Sequence, residues 1–504
     1  MSRVLGAALQ GVDGVAVEVE VRISSLLPRI DIVGLPEAAV RESAARVRAA
    51  IAGVGQRFPE RRITVNLAPA SLRKGGSGLD LPIAVSILAA SGAIDPSRLA
   101  GLGLIGELAL DGRLRPVRGA LALSLAARDA GCTRVIVPAA NGSEAALTPN
   151  LTVLSAADLG AVLAHLQSGR PLPVARVEAL PPSEPEGLPD LAAVCGQERA
   201  RRALEVAAAG GHGILLRGAP GCGKTMLARR LGGLLPPLDF AEALEVTRIH
   251  GASGQLREGV PIVTTRPFRA PHHTASAAGL LGGGSPPRPG EVSLAHRGVL
   301  FLDELPEFDR RTLEALRQVL EQRRIVIARV RTTCIFPAHF QFIAASNPCP
   351  CGWRLSPGRE CRCDGGAIAR YAARVSGPLL DRIDLHVSMS PVAWRDLDAA
   401  GPRETSREVR QRVVAARRRQ ERRGRDASLR TNAEIPDEAI DAFVAPTPDA
   451  RRLLGRAVER LGLSARAARR VLKVARTIAD LAGDARTGPA AMAEALGYRD
   501  DADA

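Results

Sequence analysis

Apolar and acidic residues alternate over residues 15–21 (VAVEVEV), the period of a strand with one buried face. Shorter apolar runs at 30–33, 62–67 and 134–137 predict further strands, and 37–52, 81–90 and 119–130 predict helices between them. Together they predict an α+β or α/β domain over 1–167. Residues 168–190 are rich in Pro and Glu without periodicity, the composition of a linker. A second domain over 191–395 carries short, wholly apolar runs at 214–217, 299–302 and 342–345. The remainder, 396–504, has a helical pattern, strongest at 464–481, where arginines separate apolar residues spaced three and four apart. No tandem repeat is present.

Composition adds limits. At 504 residues the chain has room for about three domains. Its 46% hydrophobic and 24% charged residues are ordinary for a soluble globular protein. No uninterrupted apolar run reaches the ~18 residues of a membrane span. The opening MSRVLGAALQGVDG lacks the basic and apolar regions of a signal peptide, so a cytoplasmic location without membrane partners is expected.

Net charge is +15, carried almost wholly by arginine; lysine occurs only at Lys74, Lys224 and Lys473. An arginine bias can follow from genomic base composition, but the excess itself favours a polyanionic partner, because cations near phosphates release condensed counterions. The run 403–430, including Arg417, Arg418, Arg419, Arg422, Arg423 and Arg425, reads either as a solvated helix face or as a nucleic-acid contact.

The chemistry concentrates in the second domain. The apolar strand at 214–217 leads directly into Gly218-Ala-Pro-Gly221-Cys-Gly223-Lys224-Thr225 and then into helix-forming residues. A G-x-x-x-x-G-K-T between strand and helix is a phosphate-binding loop. Its glycines let backbone N–H groups surround a phosphate at the helix N-terminus. Lys224 is placed for the β- and γ-phosphates of ATP, and the Thr225 hydroxyl for Mg²⁺. The run at 299–302 ends in Asp303 and Glu304: the first suits the Mg²⁺ water shell, the second a general base for the attacking water. The two motifs together favour hydrolysis over mere binding. The run at 342–345 leads to Asn347, whose amide can orient water and the γ-phosphate.

Of eight cysteines, Cys349, Cys351, Cys361 and Cys363 lie close together as two C-x-C pairs nine residues apart. Four thiolates suit a tetrahedral structural Zn²⁺ site; the alternative is four reduced thiols in a compact loop.

The phrases GQERARRALEVAAAGGHGILLRGAPGCGKTMLARRL, FRAPHHTAS, RPGEVSLAHRGVLFLDELPEF and SNPCPCG resemble the magnesium-chelatase-like AAA+ ATPase family, in its YifB/ComM subgroup, over about 1–495. The resemblance implies an AAA+ P-loop core with a helical lid. By it, Asn347 matches sensor 1, Arg382 in SGPLLDRIDLHV is similar to an arginine finger acting on a neighbouring subunit, and Arg466 in LSARAARR matches the sensor 2 arginine. A trans-acting arginine implies a hexameric ring. FRAPHHTASAAGLLGGGSPPRPG and a β-hairpin RRIVIARVRTTCIF with Arg329 and Arg331 resemble pore insertions, where basic tips track a nucleic-acid backbone. His272 and His273 fall in the first insertion as structural or pore-loop residues rather than metal ligands. Cys222 stands in the phosphate loop where Ser is commoner, which implies sensitivity to oxidation.

The front domain resembles the Lon protease domain, of ribosomal S5-type fold, through LAPASLRKGGSGLDLPIAVSIL and GLIGELALDGRLRPVRGALALSLA. Gly78 falls where the protease serine belongs and Leu121 where its lysine belongs, so a non-catalytic scaffold or DNA-binding platform is expected. Three functional classes compete: a DNA motor driving branch migration, as in natural transformation; a metal-insertion motor like magnesium chelatase; and a protein remodeller lacking protease activity.

Overall fold

The computed structural model describes residues 2–177, 187–257, 259–329, 332–354, 356, 359–392, 403–427 and 429–500. A seven-stranded sheet fills the N-terminal part. Its strands lie in the order Arg29–Val33, Arg62–Ala68, Asp13–Ser24, Ser2–Gln10, Leu102–Leu104, Arg134–Pro138 and Thr152–Ala156. Ser2–Gln10 and Asp13–Ser24 form one long antiparallel hairpin, with Gln10 opposite Asp13 and Gly11 turning the chain at φ +68°. The predicted alternation is realised, with Val17, Val19 and Val21 buried. Helices Asp80–Ala90 and Ala120–Asp129 cover opposite faces of this hairpin: Val4, Ala8 and Val19 join the first helix's core, Ala7 the second's. The alternation was legible; strands Ser2–Gln10, Leu102–Leu104 and Thr152–Ala156 were not expected.

The segment read as a linker begins as structure. Leu172 is buried, and Val174 bridges to Leu154 in antiparallel fashion. Residues 178–186 lie outside the described residues.

A second sheet is wholly parallel, in the order Phe268–Arg269, Val299–Leu302, Gln341–Ser346, Ile214–Gly218 and Leu385–Met389. Both faces are covered, which is why its strands read as unbroken apolar runs. Ile214 and Leu216 face helix Glu198–Gly210 and the C-terminal helices; Leu215, Leu300 and Leu302 face helix Arg310–Gln322. The expected hairpin is present as Arg324–Arg329 paired with Thr332–Pro337. Arg331 lies outside the described residues.

Among the C-terminal helices Ser406–Gly424, Pro448–Leu461, Ala465–Ala482 and Pro489–Asp500, the arginine-rich first one is largely committed to internal contacts. Arg412 pairs with Glu205, Arg417 donates to the Ala208 carbonyl, and Arg423 pairs with Asp480. Arg407, Arg418, Arg422 and Arg425 are exposed and fit the solvated-face reading. Asp480, 1% exposed, also accepts from Arg476 and Asn432, which ties three segments to one carboxylate.

The front domain docks on the second through helix Phe240–Ser253. Val12, at the hairpin tip, is enclosed by Ile249, Leu294 and Phe336, and Leu121 and Leu147 meet Ala243 and Ile262. Arg248 pairs with Asp13 at 2.9 Å. Between these patches Gly119 and Gly251 touch backbone to backbone: a Cβ on Gly251 would lie 3.5 Å from the Gly119 Cα, and one on Gly119 3.3 Å from the Ala252 Cα. No helix among the described residues is long and apolar enough to cross a membrane.

Candidate nucleotide site

Strand Ile214–Gly218 lies between the central strand Gln341–Ser346 and the edge strand Leu385–Met389, and helix Lys224–Ala228 begins six residues after its end. The loop between them needs its glycines for different reasons. A Cβ on Gly218 would stand 2.4 Å from the Met389 carbonyl oxygen of the adjacent strand. Gly221 and Gly223 take φ of +79° and +95°, open to glycine at no steric cost. Nothing lies within 4 Å of a Cβ position on Gly221, so the loop surrounds open space.

Three strand ends meet this loop. The Lys224 ammonium donates to the carbonyls of Gly218 and Ala219 at 2.7 and 3.0 Å and to Asn347 Oδ1 at 3.1 Å. Burial pushes its pKa down, partly offset by Asp303 and Glu304. Thr225 Oγ1 donates to Asp303 Oδ2 at 2.6 Å. A hydroxyl and a carboxylate so close are hard oxygen donors suited to Mg²⁺. Glu304 sits at φ +53°, a sparsely populated region for a non-glycine residue and one that concentrates at functional sites. Its backbone N–H donates to Asp303 Oδ1 at 3.0 Å.

The structure adds a residue to this group. His273 Nδ1 lies 3.2 Å from Glu304 Oε2 and its ring stacks on His272 at 4.1 Å between centroids. A histidine on a segment far from Glu304 in sequence gave no signal of this contact. Cys222 is 2% exposed and burial pushes its thiol up, so thiolate is scarce and the expected sensitivity to oxidation is not supported.

Arg382 and Arg466 converge, but on a carboxylate. Both guanidinium groups bind Glu321, at the end of helix Arg310–Gln322; Arg466 does so at 3.0 Å. Arg382 is buried, donates to the Pro378 carbonyl at 2.6 Å, and leaves its Nε without a partner among the described residues. Burial pushes its pKa down, against the pull of Glu321. Arg382 thus faces inward in the single chain, where a trans-acting group would project outward. Sequence reasoning missed Glu321, an unremarked acid on an amphipathic helix.

The four clustered cysteines come together. Their sulfurs all lie within 4.8 Å of one another, with Cys349–Cys351, Cys351–Cys361 and Cys349–Cys361 at 3.4, 3.6 and 3.7 Å. Cys363 Sγ accepts from the Cys351 backbone N–H at 3.4 Å.

In the front domain no Ser–Lys pair forms among the described residues. Lys74 is buried and donates to the carbonyls of Gly34 and Pro69, while Ser77 donates to Glu107. Leu121 is 0% exposed in the apolar joint with the second domain.

A strand–glycine loop–helix unit in a parallel sheet, with a Thr–Asp pair and an adjacent acid beside it, defines an α/β protein of the P-loop nucleotide-binding class. Comparison with known proteins agrees. The family description "Magnesium chelatase, subunit ChlI" matches residues 190–397, "Subunit ChlI of Mg-chelatase" 19–141, and "Magnesium chelatase, subunit ChlI C-terminal" 403–499. An uncharacterized protein of Mycobacterium tuberculosis is 45% identical over 99% of this chain and 98% of its own length. YifB of Escherichia coli, also uncharacterized, is 44% identical over 98% and 96%, and the competence protein ComM of Haemophilus influenzae 43% over 98% and 97%. The chain belongs to the magnesium-chelatase-like AAA+ ATPase family, in its YifB/ComM subgroup. Membership implies ATP and Mg²⁺ as ligands.

Proposed function

We propose that this protein hydrolyses ATP to drive movement on DNA as a hexameric ring, promoting branch migration of recombination intermediates. The observation that carries this reading is the meeting of Lys224, Thr225, Asp303, Glu304 and Asn347 at one glycine loop. Bound Mg²⁺ would neutralise phosphate charge. Gly218, Gly221 and Gly223 leave room for backbone N–H groups to face the phosphates, and Lys224 exchanges its loop carbonyls for phosphate oxygens. Thr225 and Asp303 hold the metal side, Glu304 accepts the proton of the attacking water, and Asn347 orients that water. Arg382 and Arg466 serve charge that develops on the transferred phosphoryl group once freed from Glu321. The DNA reading is supported by the near full-length likeness to a protein named for competence, by the net charge of +15, and by Arg329 on the hairpin.

The cysteine cluster supports a structural zinc site in the loop after Asn347. Four sulfurs at ~2.3 Å from one Zn²⁺ stand ~3.8 Å apart, close to the separations found here. The front domain is proposed to be a Lon-like scaffold without protease activity.

The test is ATP hydrolysis by the wild type and Glu304→Gln with no DNA, single-stranded DNA and a four-way junction. Several-fold stimulation by DNA and a dead variant are expected. Hydrolysis indifferent to every DNA form would remove the DNA motor and leave the ATPase.

A further inference from the structure

A cavity of about 750 Å³ lies where the front domain meets the insertions of the ATPase core. Four arginines from four separate segments line it: Arg73 and Arg118 from the front domain, Arg288 from the first insertion and Arg329 from the hairpin. All four are exposed, and none makes an ion pair or side-chain hydrogen bond among the described residues. Unlike Arg46, Arg266 and Arg423, each tied to a carboxylate, these four keep their charge unpaired, as Arg418 and Arg422 do elsewhere on the surface; what sets them apart is that they line one cavity. Two acids share the wall. Glu107 is already occupied by Ser77 and, at 3.7 Å, by Arg115, which leaves Glu37 as the carboxylate free to oppose the four cations.

We infer that this cavity is a binding site for single-stranded DNA, held by its phosphodiester backbone between the front domain and the ATPase insertions; the inference rests on the DNA reading above and places the strand within the chain. Cations on separate segments, interrupted by a carboxylate, fit a chain of single, spaced charges better than a compact triphosphate. No aromatic side chain lines the cavity, so stacking on bases is absent and phosphate contacts dominate. Binding there is sequence-independent, as a motor moving along any strand requires. Because the wall is built from both domains, the strand would bridge them and its presence would be felt by the hairpin directly.

The experiment uses the full-length chain with Arg73→Ala/Arg118→Ala, and separately Arg288→Ala/Arg329→Ala. Binding of a fluorescein-labelled oligothymidylate is followed by anisotropy across a sodium chloride series. ATP hydrolysis without DNA reports folding. Each lost single-strand phosphate contact lowers the slope of log K against log salt by about 0.7, so either pair should lower it by about 1.4. DNA-free hydrolysis should be unchanged in Arg73→Ala/Arg118→Ala, whose residues belong to the front domain. Wild-type slope and affinity in both variants would overturn the site while leaving the DNA motor intact. Wild type that binds no DNA at any salt would overturn both. Displacement of the oligonucleotide by stoichiometric inorganic tripolyphosphate would assign the cavity to compact polyphosphates and overturn the inference.

Discussion

Asp480 is the point at which the C-terminal helices are most exposed to a single substitution. Its carboxylate accepts from Arg423 at 2.7 and 2.9 Å, from Arg476 at 2.9 and 3.2 Å, and from Asn432 at 2.8 Å. Arg476 and Asp480 are each 1% exposed, so water cannot replace the lost charge. Asp480→Asn keeps the shape and removes the charge, leaving a buried guanidinium uncompensated. Breaking a buried pair from one side costs about 3–5 kcal/mol. At roughly 2–4 °C per kcal/mol for a unit of 150–250 residues, melting should fall by about 6–20 °C. Asp441→Asn is the control. Asp441 pairs with Arg451 on the surface, 75% and 56% exposed, and such pairs contribute about 1 kcal/mol at most. Scanning calorimetry of both variants decides the matter. An Asp480→Asn melting point within about 2 °C of the control would refute the claim that this carboxylate holds the helices together. Because Arg466 opens the helix that Asp480 closes, ATP turnover in the variant should fall below the melting temperature as well.

His273 and Glu304 are partly exposed, so their contact is worth about 1 kcal/mol at most. His273→Ala should therefore change kcat by no more than about fivefold, whereas Glu304→Gln should lower it at least about 100-fold; equal losses in single-turnover assays would make His273 part of the chemistry. His386 is buried beside Arg499 and Arg217, and burial with those charges pushes its pKa down to about 3. Its neutral form is favoured by folding, so the stability it contributes is complete above pH 6.5 and lost as pH falls toward 3. Between pH 7 and 5 the loss is about 2 kcal/mol, and a His386→Gln variant should show a flatter denaturant-midpoint profile over that range. Protein purified without chelators should carry one zinc per chain by mass spectrometry, and Cys361→Ser should lose it; metal-free wild type would refute the site.

The nucleotide loop was legible because its meaning is local: glycines, lysine and threonine follow each other between a strand and a helix. Asp303 and Glu304 were legible by their position after four apolar residues. The partners that adjust these groups were not. Glu321 meets Arg466 from 145 positions away, and His273 reaches Glu304 across the sheet edge, and neither carries a spacing rule. The first strand was missed because Gly6, Ala7 and Ala8 are small and unbranched, and it forms by pairing along the whole of Asp13–Ser24. The arginine run misled in part, since a list of charges cannot tell Arg417, spent on a backbone carbonyl, from the exposed Arg418.

Gly119 and Gly251 bring two backbones together, flanked by the Leu9 and Glu144 side chains. A packed side chain can absorb a small displacement by changing rotamer; two bare backbones cannot. The joint therefore works as a fulcrum without slack, with the seven-stranded sheet as a rigid lever arm. A tilt of helix Phe240–Ser253 would be carried to that arm with little loss, and a methyl group at Gly251 would press first on the Glu144 carboxylate, which accepts from the Leu121 N–H at the start of helix Ala120–Asp129.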